Sequence, residues 1–113
     1  MTGIERIAKE RQRQLEVEGW TPEHDDEHSD GELALAAVCY AAPGLVYTRQ
    51  DFADQITFTD PWPFEPYWDK RLCNGNVTLS NQQLKPEQRI RMLEKAGALI
   101  AAEIDRLLRE ASQ

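Results

Sequence analysis

The last quarter of the chain carries the most regular pattern in the sequence, and that pattern dictates the longest element of the fold. Apolar or small residues recur at alternating intervals of three and four, the spacing that places side chains on one face of an α-helix. Pro86, a residue favoured in the first turn of a helix, precedes the pattern. We predict a helix over about residues 86–111, roughly 40 Å long at ~1.5 Å per residue. Its apolar stripe consists of Leu93, Gly97, Ile100, Ile104, Leu107 and Ala111.

A second helix is predicted near the N-terminus, over residues 4–18. Thr2 and Glu5 have the spacing of a capping box, in which the hydroxyl and the carboxylate each accept from a backbone N–H that would otherwise lack a partner. Gly19 then favours the end of this helix, because glycine readily adopts the backbone conformation found there.

A third, central helix is predicted over residues 30–42. Ser29 and Glu32 repeat the capping-box spacing before a run that is apolar on every side, so we expect this helix to be buried all round. Residues 34–37 and 96–102 are both rich in small side chains, which allow two helix axes to approach closely. We therefore expect the central and last helices to pack directly, with the first helix completing a three-helix core.

Residues 44–84 break the helical pattern and form an irregular insertion rich in aromatic residues and proline. Residues 55–59 and 76–80 alternate in the manner of strands, and an Asn-Gly pair before the second stretch signals a turn. We expect these two stretches to form a short two-stranded β-ribbon. The whole prediction is a single, mainly α domain over residues 1–113 with a long C-terminal helix.

The net charge of −7 is concentrated in residues 23–32, which hold six acids, both histidines and no base. The charge argues against nonspecific binding to nucleic acid, because the average surface repels phosphate. No apolar run approaches the ~20 residues of a membrane span, and the N-terminus lacks the apolar stretch of a secretory signal. Cys39 and Cys73 form neither a disulfide framework nor a CxxC pair, so we expect reduced thiols in a cytoplasmic protein, with Cys39 filling the core.

The acidic segment has two interpretations, of which the first is a divalent-metal site with the ligands His24, Asp25, Asp26 and His28. Carboxylates suit Mg²⁺ or Mn²⁺ and imidazoles shift the preference towards Mn²⁺, Zn²⁺ or Ni²⁺, so we expect Mg²⁺ or Mn²⁺ first. Asp25 and Asp26 are the catalytic candidates, because adjacent carboxylates can share an ion. Pro22 and a following helix cap argue that both histidines lie in a loop. The second interpretation is a solvated acidic loop that complements the dipole of the next helix. Further acids that could join a site are Glu23, Glu32, Glu103, Asp105, Glu10 and Glu16.

The aromatic part of the insertion also has two interpretations. Its side chains form a stacking wall for a nucleobase or an anchor for a protein partner, or else they cover the ends of a small helical core. In the first case Trp62 or Trp68 would stack on the base. The aromatic residues in question are Trp62, Phe64, Tyr67 and Trp68, and the predicted phosphate contacts of a bound nucleotide are Lys70, Arg71, Arg89 and Arg91.

Short strings outside residues 44–84 form a further pattern. They are Glu10-Arg-Gln-Arg-Gln-Leu, Glu18-Gly-Trp-Thr-Pro-Glu-His-Asp-Asp, His28, Gly31-Glu-Leu, Ala36-Ala, Tyr40 and Lys95-Ala-Gly-Ala-Leu-Ile-Ala-Ala-Glu-Ile. Together they resemble a family of small proteins from bacteriophages and prophages, and the string that begins at Glu18 is specific. The resemblance implies a phage-encoded protein made inside a bacterium, which is a setting rather than a mechanism.

The acids also give a weaker resemblance to the all-helical nucleotide pyrophosphohydrolases of the MazG type. Those enzymes place acidic side chains from packed helices around Mg²⁺ and cleave nucleoside triphosphates, with an ExxE pair on one helix and an ExxD pair on a later one. Here the acids concentrate in one segment, and Glu103 and Asp105 lie two apart on the last helix. His24-Asp25 is similar to the motif of HD-type phosphohydrolases, whose further ligands on other helices are missing.

Two functional hypotheses follow. In the first, a metal in the acidic segment engages the phosphates of a nucleotide and a metal-bound water attacks phosphorus, so that the protein is a metal-dependent nucleotide phosphohydrolase or a nucleotide binder. In the second, a non-catalytic anti-defence protein, such as an anti-CRISPR or another inhibitor of a host nuclease, binds a basic host partner through its acidic face. The histidines favour the first, because they are of little use in a DNA mimic. The long last helix is also compatible with a homodimer.

Overall fold

The computed structural model describes residues 1–71 and 84–113, and this part of the chain is mainly helical. None of its helices combines the length and the apolar character needed to cross a membrane. The elements in chain order are α1 (Gly3–Glu16), α2 (Pro22–Asp26), α3 (Glu32–Ala41), β1 (Thr48–Phe52), β2 (Gln55–Thr59), a short 3₁₀ helix (Pro66–Trp68) and α4 (Pro86–Ala111).

The long helix α4 is the element on which the others assemble. Both α1 and α3 pack along it, and α2 contacts it near its C-terminal end. Alanines at the α3–α4 interface let the two helix axes approach closely, as the small residues predict. The core cluster consists of Leu33, Ala36, Ala37, Tyr40, Met92, Ala96, Leu99 and Ala102.

The side of α4 that faces this core differs from the helix's most regular apolar stripe. Met92, Ala96 and Leu99 are buried, whereas Ile100 is 47% exposed and Ile104 is 52% exposed. The regular stripe is therefore not the face that packs against the core cluster. A helix with two apolar faces can bury only one of them against a small domain. Helix α4 buries the face with the smaller side chains, because that face lets α3 pack more closely.

Helix α1 confirms its capping box, since Thr2 Oγ1 accepts from Glu5 N at 3.2 Å and Thr2 N donates to Glu5 Oε1 at 3.0 Å. The predicted box before α3 is wrong. Gly31 is the N-cap with a φ of 85°, and the cap has no side-chain hydrogen bond. The Glu32 carboxylate instead accepts from the backbone N–H of Asp30 at 2.6 Å, which supports the turn into the helix. Helix α3 thus begins at Glu32 rather than residue 30.

Two further expectations for the helices need correction. Helix α3 is not buried all round, because Leu35 and Val38 are exposed on its outer side. Helix α1 ends at Glu16 rather than residue 18. Cys39 is buried, as expected for a core residue, and burial raises the pKa of its thiol to about 11.

The two-stranded ribbon exists but pairs differently from the prediction. Residues 55–59 form a strand, and their antiparallel partner is β1, with Thr48 opposite Thr59 and Phe52 opposite Gln55. The turn between the strands places Ala53 at a φ of 55°, a conformation more typical of glycine or asparagine. All ten strand residues are exposed, so the ribbon projects from the helical body. The other predicted strand, residues 76–80, lies outside the described residues.

Candidate functional site

The acidic segment contains a short helix rather than only a loop. The side chain of Thr21 caps α2 by accepting from His24 N at 3.2 Å, and Pro22 occupies the first turn, where its missing N–H costs nothing. His24 lies in the last turn of this helix, and His28 lies two residues after its end. The expectation that both histidines lie in a loop was therefore wrong for His24.

The two histidines belong to a series of aromatic rings in mutual contact. Trp20 stacks on His24 with ring centroids 5.9 Å apart and planes 5° apart. The ring of His24 meets that of His28 edge to face at 4.9 Å. His28 in turn meets Phe64 at 5.0 Å. The rings of His24 on α2 and of His28 before α3 thus connect Trp20 to Phe64 of the insertion.

The series continues through the insertion to Tyr40 of α3 at one end and to Trp68 at the other. Trp62 lies edge to face between Phe64, at 5.7 Å, and Tyr40, at 5.6 Å. Trp68 contacts the opposite end of the series, with its ring centroid 6.1 Å from that of Trp20. We call this set the aromatic wall; its members are Trp20, His24, His28, Tyr40, Trp62, Phe64 and Trp68.

The aromatic wall surrounds a pocket of about 410 Å³. Leu33 and Leu99 from the core helices also line it, and Glu32 and Glu65 add two carboxylate-bearing residues. Among the described residues, no lysine or arginine lines this pocket. Its volume and its mixture of aromatic and polar groups are typical of small-molecule sites.

His28 and Glu32 form a contacting polar pair in the lining of this pocket. His28 Nδ1 lies 3.1 Å from Glu32 Oε2. Burial opposes ionisation of Glu32, but hydrogen bonds from the backbone N–H groups of Glu32 and Asp30 and from His28 outweigh it, so the pKa of this carboxyl is lowered. The carboxylate therefore stays ionised near neutral pH and can accept a hydrogen bond from a ligand.

The structure does not bring the two catalytic candidates to one point. Asp25 is fully buried, with Oδ2 2.7 Å from Arg11 Nη2 and Oδ1 3.2 Å from His24 Nδ1. Asp26 is exposed and pairs with Arg109 of α4 at 2.8 Å. Within the described ranges, no group of three or more His, Cys, Asp or Glu side chains is arranged to hold a metal ion.

The predicted phosphate contacts serve the fold in this structure. Arg71 is buried, donates to Asp60 and Asp69 at 2.7–3.0 Å, and lies 5.2 Å from the centre of the Trp62 ring. Lys70 donates its backbone N–H to the Tyr40 hydroxyl at 3.1 Å. Burial raises the pKa of that hydroxyl to about 12, so it remains protonated. These contacts hold the insertion against α3.

The other two predicted phosphate contacts also have partners within the chain. Arg89 donates to the carbonyl oxygens of Tyr40 and Ala41, which closes the C-terminal end of α3. Arg91 pairs with Glu10 at 2.6 Å. Neither arginine lines the aromatic pocket.

The remaining acids named as site candidates lie elsewhere. Glu23 is exposed in the first turn of α2, and Glu103 pairs with Arg106 at 2.5 Å on α4. Glu10 is buried between α1 and α4, where it accepts from Arg13 and Arg91. Glu32 is therefore the acid of this group that lines the pocket.

The sequence pointed to several of the pocket residues but not to the pocket itself. His24 and His28 were predicted as metal ligands and Trp62 and Trp68 as aromatic side chains that stack on a base, and the structure places all four in one aromatic wall. Trp20 and Tyr40 were missed as functional residues. The signal for Trp20 is its position next to the acidic segment, since a large aromatic side chain so close to a predicted site can form part of it.

Comparison with known proteins gives no relative from which a function could be carried over. No protein-family model matches the chain, and no curated protein and no solved structure gives a significant match. The fold and the site together define a small, mainly helical protein with an aromatic-lined pocket.

Proposed function

We propose that this protein binds a small planar heteroaromatic molecule, of the class of a nucleobase or nucleoside, in its aromatic pocket. The observation that carries the proposal is the continuous series of aromatic and imidazole rings that lines a single pocket. Planar rings stack favourably on such side chains, with about 1–3 kcal/mol per base at single-stranded nucleic-acid sites. The imidazoles of His24 and His28 and the carboxylate of Glu32 supply hydrogen-bonding groups for the edge of the bound ring.

The charge of the pocket favours a base or nucleoside over a nucleotide that binds through its phosphates. Among residues 1–71 and 84–113, the acids that line it are Glu32 and Glu65, and both would repel a phosphate. The nearby cation Arg71 is already paired with Asp60 and Asp69. A triphosphate chain would therefore add little affinity in the absence of a cation.

Intrinsic tryptophan fluorescence provides a direct test, because Trp20, Trp62 and Trp68 all line the pocket. Titration with adenosine, guanosine, cytidine and uridine should quench or shift the emission for at least one of them. Trp68→Leu should weaken that binding at least tenfold. Tyr47→Leu is the matched control, since Tyr47 is exposed and does not line the pocket. No response to any base, nucleoside or nucleotide would contradict the proposal.

Metal-dependent nucleotide hydrolysis is a second candidate, and it is favoured by the contact between His24 and His28 beside Glu32. These three side chains would hold a divalent cation, Mn²⁺ or Mg²⁺ before Zn²⁺ or Ni²⁺, after a rearrangement that brings them to one point. Asp25 and Asp26 would have to leave their arginine partners to take part. The expected result is a rise in melting temperature with Mn²⁺ that His28→Ala abolishes. If none of these metals raises the melting temperature, the protein binds its ligand without metal-dependent hydrolysis.

The alternative is an anti-defence protein that binds a basic host partner. Its support is that Glu23, Glu27 and Asp30 are exposed and form no ion pair in the part of the chain that the structure describes. Salt-sensitive capture of a host nuclease, lost when these three acids are replaced by their amides, would favour this function. Nuclease binding that does not depend on these three acids would exclude the acidic face as the binding surface.

A further inference from the structure

One face of α4 presents large apolar side chains to solvent. Leu93, Ile100, Ile104 and Leu107 are between 43% and 52% exposed, and Leu108 beside them is 63% exposed. They lie on one side of the helix, because their intervals of three, four and seven follow its periodicity. We call the face formed by Leu93, Ile100, Ile104, Leu107 and Leu108 the apolar seam.

The spacing of the seam is that of a helix that packs lengthwise against another helix. Ile90, Leu93, Gly97, Ile100, Ile104, Leu107 and Ala111 follow the alternating three-four interval through three heptads. An average interval of 3.5 residues keeps successive side chains on one line that faces a partner helix. Within the described residues, Ile7 of α1 contacts this line at Gly97, and the line is open from Ile100 onwards.

Several charged residues beside the seam already have partners in their own chain. Arg106 pairs with both Glu103, at 2.5 Å, and Glu110, at 3.0 Å. Glu94 pairs with Arg6 at 2.8 Å. Covering the seam would therefore not bury an unpaired charge at these positions, which is the main electrostatic cost of forming an interface.

The exposed area is also of the order that a dimer interface needs. The five seam residues are each about half exposed, and with Ile90 and Ala111 at the two ends they offer on the order of several hundred Å² of apolar surface. Stable interfaces bury about 800 Å² per partner, so the side chains that flank the seam must supply the rest.

We propose that the apolar seam joins two copies of this chain in a symmetric dimer. A two-fold interface requires a surface that is complementary to itself, and one heptad stripe packed on an identical stripe meets that requirement. Leu99, which lines the aromatic pocket, lies on the other side of α4 from Ile104. Dimer formation through the seam therefore leaves both pockets open, and it is independent of what they bind.

Sedimentation-velocity and light-scattering measurements on the full chain test the dimer. The wild type should have twice the 13.0 kDa of one chain, and Ile104→Glu should shift it to a single chain with unchanged helix content by circular dichroism. Val38→Glu is the matched control, because Val38 and Ile104 are both 52% exposed but lie on different helices. This control should remain a dimer.

The results that overturn the proposal are equally definite. A wild type that stays a single chain at high micromolar concentration, or one that forms a larger oligomer, excludes the two-copy seam. A dimer that survives Ile104→Glu, or that Val38→Glu dissociates as well, places the interface elsewhere. Ile100→Lys repeats the test at a second seam position in case Ile104→Glu does not fold.

Discussion

The side chain of Ile7 occupies the space that a Cβ atom at residue 97 would need. An ideal Cβ on Gly97 would lie 2.6 Å from Ile7 Cδ1 and 2.7 Å from its Cγ1. Glycine within a helix costs about 1 kcal/mol relative to alanine. The glycine of α4 is therefore explained by the close approach of α1.

We expect Gly97→Ala to destabilise the protein by about 1 kcal/mol, because overpacking of ~1–3 kcal/mol exceeds the gain in helix propensity. In an Ile7→Ala background the same substitution should become stabilising, since the space is then free. Urea unfolding of the four proteins in this cycle measures both effects. Stabilisation by Gly97→Ala in both backgrounds would contradict the contact.

Asp25 and Asp26 should differ sharply in their contribution to stability. Asp25→Asn removes a fully buried charge opposite the partly exposed Arg11, and we expect a loss of about 3 kcal/mol. Asp26→Asn removes an exposed partner of Arg109, so the loss should be much smaller. Chemical denaturation of the two variants makes the comparison, and equal losses would show that Asp25 has no special structural role.

Glu10 should make the stability of the protein depend on acid pH. Burial alone would raise its pKa, but hydrogen bonds from Arg13 and Arg91 and the charges of Arg91 and Lys95 outweigh that effect and lower the pKa from 4.5 to about 2. The native state thus binds this proton less readily than the unfolded state does. The stabilisation is present above pH 4.5 and is lost as the pH falls towards about 2.

The size of this effect follows from the shift, which corresponds to about 3 kcal/mol by linkage. Glu10→Gln should therefore be less stable than the wild type at neutral pH by about that amount. The difference should shrink as the pH falls from 4.5 towards about 2. Denaturant titrations of both proteins over this range provide the measurement, and a constant difference would argue against a lowered pKa.

Cys39 should react slowly with thiol reagents in the folded protein. Burial raises the pKa of its thiol to about 11, so little of the reactive thiolate is present at pH values near neutrality. The measurement uses a Cys73→Ser variant, so that a single thiol is followed. Its reaction with a disulfide reagent should accelerate by orders of magnitude in denaturant. Fast reaction under native conditions would show that the thiol is accessible.

Helix positions were the part of the fold that could be predicted, because they depend on local signals. The capping box at Thr2 and the proline at residue 86 placed two helix starts to within one residue. The cap at Ser29 failed because Gly31 provides a left-handed residue next to Glu32, and that geometry competes with a side-chain cap. The strand partner of β2 was predicted wrongly, because Ala53 in the turn between β1 and β2 is not a residue type that signals a turn.

The orientation of α4 and the pocket could not be predicted, for a physical reason. Periodicity identifies an apolar face but not what covers it, so the heptad stripe was indistinguishable from a core stripe. The pocket is built from residues as distant in the chain as Trp20, Tyr40 and Trp68. The packing of α1 and α3 on α4 and the ion pairs of Arg71 bring them together, and a sequence pattern contains none of these relationships.

The ribbon formed by β1 and β2 has a consequence for how the pocket is held. Thr48 and Thr59 lie opposite each other, so the chain leaves the helical body and returns to it at the same place. The residues that anchor the insertion, Asp60, Asp69 and Arg71, all come after this return. We therefore expect that the ribbon can be deleted and its two ends joined by a short turn, and that the shortened chain retains the aromatic wall.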